Sequence, residues 1–323
     1  TRRSSDLYES GVSYGVTNTR DTTLIKGRLL QSGKTTDEGG IDIWTFGGAV
    51  ELQKNLFVGG SVSVISGKFD RRRQLNESDP YGVYTAIRLD PSEAGTIGFR
   101  QFSYFDSINW EISGWDLMFG FIYKLKEKAS IGATIKFPKQ ITIKENYRIN
   151  ASGEFASTTF QATPGNSLYE YEISTPFEFT LGGSYRLDRI LLAGELQYID
   201  YTQMKFTAGL NSFDRDDINW GIKEDFRSTM NFKAGAEYSL YELGIKLRGG
   251  FMVMRSPYKD DASDYDKKYV TGGVGFPFDQ MEFDLGIAYG WWKDFGYNYT
   301  TALRPVEQDI KSTTVTATFK YNF

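Results

Sequence analysis

Apolar and polar positions alternate with a period of two along most of this chain. The last stretch shows the pattern plainly. Val315, Ala317, Phe319, Tyr321 and Phe323 interleave with Thr314, Thr316, Thr318, Lys320 and Asn322. Successive side chains of a strand point to opposite faces, so this spacing makes one face greasy and the other wet. The split recurs at 115–125, 174–187, 227–239, 242–256 and 281–294. Twelve strands are predicted, with cores at 10–18, 42–52, 56–68, 115–125, 129–137, 174–187, 190–202, 227–239, 242–256, 267–278, 281–294 and 311–323. A helical period of 3.6 is nowhere dominant.

The connections sharpen the picture. Tight links fall at Gln53–Asn55, Lys126–Lys128, Asp188–Arg189, Leu240–Tyr241 and Asp279–Gln280. Between them lie long polar links at 19–41, 69–114, 138–173, 203–226, 257–266 and 295–310. Short and long alternate throughout. That is the signature of an all-β, transmembrane antiparallel β-barrel with short periplasmic turns and long extracellular loops. A large soluble sandwich also alternates, but it has no reason to put every tight turn at one end. Trp44, Tyr123, Tyr185, Tyr198, Tyr238, Tyr258, Trp291, Trp292 and Tyr321 lie near predicted strand ends, where interfacial girdles form. The expectation is one barrel domain over 1–323.

Composition narrows the chemistry. The chain has 323 residues, no Cys and no His. Disulfides, thiolate nucleophiles, His triads and His-ligated zinc are excluded at once. The enzymatic barrels that move protons with His are excluded with them, so no catalytic residue and no cofactor is expected. The net charge of -4 gives no basic face for nucleic acid. No run approaches the roughly 18 apolar residues of a membrane helix, which says nothing about strands.

Three stretches resemble the long-chain fatty acid transporter family of the outer membrane (FadL-like). The first is STPFEFTLGGSYRLDRILLAGELQYIDYTQMKF, from Ser174 to Phe206. The second is FRSTMNFKAGAEYSLYELGIKLRGGFMVMRSP, from Phe226 to Pro257. The third is GGIDIWTFGGAVELQKNLFVGGSVSVISG, from Gly39 to Gly67. The resemblance implies a monomeric barrel that passes hydrophobic molecules, long-chain fatty acids first among them, without cofactor or metal. It implies fourteen strands and an N-terminal hatch with an Asn-Pro-Ala segment. This sequence reads as twelve strands and contains no Asn-Pro-Ala. The expectation is that the hatch and first hairpin are absent from this chain; a twelve-stranded relative with an open lumen is the alternative.

Two groups of residues are candidates for ligand contact. Phe99, Phe102, Tyr104, Phe105, Ile108 and Trp110, followed by Ile112, make the end of the 69–114 link too apolar for a solvated loop. They fit either a folded cap or, as the resemblance implies, a groove that captures a greasy ligand. Tyr147, Ile149, Phe155, Phe160, Tyr169 and Tyr171 would form its other wall. Lys233, Lys246 and Arg248 are predicted to face the lumen on one hairpin. They fit either a paired wall network or a site for a carboxylate head group. Two acidic runs, Asp214/Asp216/Asp217 and Asp260/Asp261/Asp264/Asp266, lack calcium-loop spacing and read as solvated. The run Arg71–Arg73 fits either lipopolysaccharide phosphates or solvent. A general porin or an adhesion barrel without a hydrophobic ligand remains the alternative function.

Overall fold

In a computed structural model, residues 29–86, 88, 94–126, 128–162, 164–278, 280–296 and 306–321 are described. They form one antiparallel sheet of 15 strands. In chain order these are β1 (Leu30–Gln53), β2 (Leu56–Ser78), β3 (Phe99–Leu125), β4 (Ala129–Lys136), β5 (Gln140–Phe155), β6 (Thr159–Gln161), β7 (Gly165–Ser174) and β8 (Glu178–Leu187). Then follow β9 (Ile190–Asp200), β10 (Lys205–Ala208), β11 (Ser228–Leu240), β12 (Ile245–Met254), β13 (Lys267–Phe278), β14 (Met281–Gly296) and β15 (Val306–Tyr321). One helix, α1 (Ser212–Asp225), sits between β10 and β11.

Three pairs of strands are single traverses of the wall broken by a kink. β4 runs into β5 through Phe137–Lys139, β8 continues β7 through Thr175–Phe177, and β9 runs into β10 through Tyr201–Met204. With β6 as a short side strand, eleven traverses remain among the described residues, each paired with its sequence neighbours. They coincide with eleven of the twelve predicted strands. The predicted strand at 10–18 lies outside the described residues, as do Asn322 and Phe323. The tight turns also fall where predicted. Asn55 and Asp188 take positive φ (68° and 50°), as two-residue hairpins demand. Between β11 and β12 the turn has four residues, 241–244, closed by Gly244 at φ 62°.

Four predicted links are corrected, one of them 19–41, which is strand from Leu30 onward. The 69–114 segment is mostly strand: β2 extends to Ser78 and β3 begins at Phe99. The 138–173 segment is β5, β6 and β7. The 203–226 segment contains α1, which the weak helical periodicity there did not signal. The reason for the strand extensions is length. β3 has 27 residues, whereas a tilted strand needs about 9–11 to cross a bilayer. The extra residues continue the sheet into the extracellular space.

The level of the bilayer can be read from the outer face. Trp44, Val64 and Trp115 are cross-strand partners. Below them the outward positions are apolar: Phe46, Val62, Leu117, Phe119 and Phe121 on these strands, then Leu181, Leu196, Phe232, Phe251, Leu285 and Ala317 around the wall. Most of these large side chains are exposed, Phe46 at 69 % and Leu181 at 51 %. Above them the outward positions turn polar: Lys68, Asp70, Arg72 and Gln74 on β2, and Ser107, Asn109, Glu111 and Ser113 on β3. An apolar band ending in Trp is what lipid requires of a barrel exterior.

Candidate functional site

Below Trp115 the inner face is polar and many of its charges are paired. The Lys233 ammonium donates to Glu195 at 2.8 Å, and Lys246 to Glu282 at 2.6 Å. Arg248 donates to Glu237 at 2.8 Å, to Glu282 at 3.3 Å, and to Asp284. Lys136 lies 3.5 Å from Asp116. The structure brings Lys246 and Arg248 together near the periplasmic turn. It sets Lys233 apart, opposite Met252 and bound to a different carboxylate. Each of the three sequence candidates for an anion site is thus held by a carboxylate of the wall. Such a network keeps the lumen hydrated and the strands in register.

Above Trp115 the inner face reverses its character. Ile65, Phe69, Trp110, Ile112, Ile143, Tyr171, Ile173 and Phe206 share it across β2, β3, β5, β7 and β10. Ile65 and Ile143 are buried, and the rest are half-buried. Phe69 and Trp110 pack with ring centroids 5.2 Å apart, and Tyr171 and Phe206 at 5.5 Å. Two features of the chain produce the reversal. In β3 the alternation slips phase at Ser113–Gly114, so apolar positions are odd from Trp115 to Phe121 and even from Ile108 to Ile112. In the next traverse the kink does it. Lys136 pairs with Met118 and Gln140 with Trp115, so three residues (137–139) oppose two. This β-bulge flips which face the next side chains take. Ile131, Ala133 and Ile135 therefore meet lipid, while Ile141 and Ile143 face inward.

Several polar groups on this apolar face are paired. Trp110 Nε1 and the Tyr171 hydroxyl both donate to Glu145 Oε2, at 2.8 and 3.0 Å. Arg73 Nε donates to the buried Asp106 at 2.8 Å. Arg71 grips Asp37 through two bonds of 2.8 Å, and that hydrogen bonding holds the Asp37 carboxyl below its ordinary value. Burial raises the hydroxyls of Tyr147 and Tyr171, with Tyr104 and Glu145 respectively adding to the effect.

The sequence candidates divide by the pleat. Phe102, Tyr104, Ile108 and Trp110 lie on the inner face of β3, as do Tyr147, Ile149, Tyr169 and Tyr171 on β5 and β7. Phe105 points outward, among Ser107 and Ser103, because it has the opposite parity. Phe99 is buried at the top of the sheet. There it packs edge-on against Tyr84 and Phe155, with centroids at 6.4 and 5.8 Å, as part of a cap. The Arg71–Arg73 run is likewise divided: Arg71 and Arg73 face inward on their aspartates and Arg72 faces outward. Phe69, Ile143, Ile173 and Phe206 were missed by the sequence reading, whereas Ile112, a candidate there, does lie on the inner face. Among the described residues no set of carboxylates gathers as a metal site.

The profile of the family described as "Outer membrane protein transport protein (OMPP1/FadL/TodX)" matches residues 9–323. Among solved structures, one of the TodX deltaS2S3 mutant monoaromatic hydrocarbon channel is 16 % identical. The alignment covers 91 % of this chain and 78 % of that one, with TM-score 0.56. A Pseudomonas aeruginosa FadL homologue is 12 % identical, with 90 % of this chain and 69 % of that one covered and TM-score 0.55. At such identities these two likenesses speak to the fold. Among curated proteins none matches.

Proposed function

The chain belongs to the outer membrane protein transport family (OMPP1/FadL/TodX), and from that premise we propose that it passes uncharged hydrophobic molecules, captured on the apolar inner face above the bilayer. It is an outer-membrane β-barrel, so cargo meets the extracellular sheet first. The observation that carries the reading is the reversal at Trp115: a polar, ion-paired lumen below, and an apolar inner face above. Only the second gives a greasy molecule somewhere to leave water. Burial contributes about 0.8 kcal/mol per CH₂ or its equivalent, and no energy source is needed for that step.

The choice of an uncharged cargo rests on the charge pairing. A long-chain fatty acid, the expectation from sequence, offers a carboxylate that wants an unpaired cation. Arg71, Arg73, Lys233, Lys246 and Arg248 are each held by a carboxylate. The solved structure described as a monoaromatic hydrocarbon channel agrees with a neutral cargo.

The test compares binding of an aromatic hydrocarbon, oleyl alcohol and oleate to the purified barrel. The hydrocarbon and the alcohol should bind at least as well as oleate. Trp110→Ala with Phe69→Ala should weaken all three by about tenfold or more, since each aromatic contributes on the order of 1.5–3 kcal/mol when buried. Phe105→Ala, on the outer face, should change nothing. Equal losses from Phe105→Ala, or free passage of small polar solutes with no hydrophobic binding, would favour the porin reading instead.

A further inference from the structure

The kinks that redirect β5, β7 and β10 leave a cavity of about 800 Å³, within the size range of small-molecule sites. Ser174 and Phe177 line one side, Met204 and Lys205 another. Asp216, Asn219, Trp220 and Lys223, at spacings of three and four on one face of α1, close the third. The cavity opens on the outer face of the wall. Phe177 packs with Phe137 and Phe179, which point to lipid, and Ser174 shares the face of Gln140 and Trp115. Its level is therefore the top of the lipid band, in the outer leaflet. α1 is fixed there by Asn219, which exchanges two hydrogen bonds with the backbone of Phe206 at 2.7 and 3.0 Å.

Its charge sets it apart from the lumen. Lys205 and Lys223 have no ion-pair partner among the described residues. Outside the lining, Lys259 Nζ donates to the Lys223 carbonyl at 2.8 Å and ties down the end of α1. The lining carboxylate, Asp216, has its own cation in Arg215 at 3.5 Å. The cavity thus joins an apolar floor of Phe177 and Met204, an indole 64 % exposed at Trp220, and the ammonium groups of Lys205 and Lys223. That combination fits an amphiphile with phosphate beside an acyl chain. In the outer leaflet of the outer membrane that amphiphile is lipid A.

We propose that the α1 cavity is a lipid A site on the barrel exterior, with Lys205 and Lys223 on a phosphate and an acyl chain against Phe177, Met204 and Trp220. The site is separate from the cargo face. The test titrates purified bis-phosphorylated lipid A into the detergent-solubilised barrel and follows the thermal unfolding midpoint. Lipid A should raise the midpoint of the wild type, and phosphatidylglycerol should not match it. Lys205→Gln with Lys223→Gln should weaken the apparent affinity about tenfold, as expected for two lost charge-assisted hydrogen bonds, with hydrocarbon binding unchanged. Dephosphorylated lipid A on wild-type protein gives the same answer without any substitution and should lose most of the effect. Unaltered affinity in the double variant, an undiminished effect of the dephosphorylated lipid, or an equal response to phosphatidylglycerol would each overturn the assignment.

Discussion

At the residue scale the cargo face depends on groups that are apolar in bulk and polar at one atom. Trp110 and Tyr171 present rings to the lumen and spend their single donors on Glu145. Tyr147 and Tyr171 both hold their protons above the ordinary tyrosine value of 10.0, first because burial penalises the phenolate. In the unfolded chain both ionise near that ordinary value. Their contribution to stability is therefore full below about pH 10 and is lost as pH rises from there toward the folded-state value. The extracellular sheet should loosen in alkali, with tyrosinate absorbance appearing late. Tyr147→Phe with Tyr171→Phe should remove part of that alkaline loss, and an unchanged alkaline profile would count against it. Candidate residues were legible here by type but not by direction. The aromatic density at 99–110 was plain in the sequence, yet Phe105 differs from Tyr104 only in parity, and parity has meaning only once the phase of the strand is known.

At the element scale the membrane strands were legible because lipid on one side and water on the other impose a strict alternation. Their extracellular continuations were hidden for a physical reason. Above Trp115 the environments exchange sides, so the apolar set must change phase or the chain must bulge. A reader following one phase sees the pattern end and writes a loop. The bulge at 137–139 is the clearest instance: it allows Ile135 to face lipid and Ile141 to face cargo within one traverse. Deleting Pro138 should remove the extra residue and turn Ile141 and Ile143 outward. Hydrocarbon binding should then drop about tenfold or more, by the burial of those two side chains, while Pro138→Ala, which keeps the residue count, should bind nearly as wild type. Full binding by the deletion variant would mean that the bulge does not set the face. Helix α1 escaped for another reason. Phe213 and Trp220 are exposed, so no apolar stripe marks its period, and the Asn211 cap on Asp214 (3.0 Å) was the one local cue.

At the scale of the whole molecule, the same sheet serves two solvents. The lipid band runs unbroken from Phe46 on β1 through Leu181, Phe251 and Leu285 to Ala317 and Phe319 on β15. If those positions face acyl chains, charge is penalised there by depth and not on the opposite pleat. Leu285 lies midway along the outward set of β14, between Met281 and Trp291, and Thr316 lies on the lumen side of the adjoining strand. Leu285→Arg should cost about 2–4 kcal/mol of folding stability in lipid vesicles. Thr316→Arg, among waters and paired charges, should stay within about 0.5 kcal/mol. The same pair measured in a β-sandwich would give a comparable penalty at Leu285 whether or not lipid was present, because the apolar face would be packed against protein. Reversible denaturant unfolding in vesicles of two hydrocarbon thicknesses separates the cases. The penalty at Leu285 should grow in the thicker bilayer, and a penalty indifferent to thickness would remove the lipid-facing assignment on which the cargo face and the lipid A site both stand.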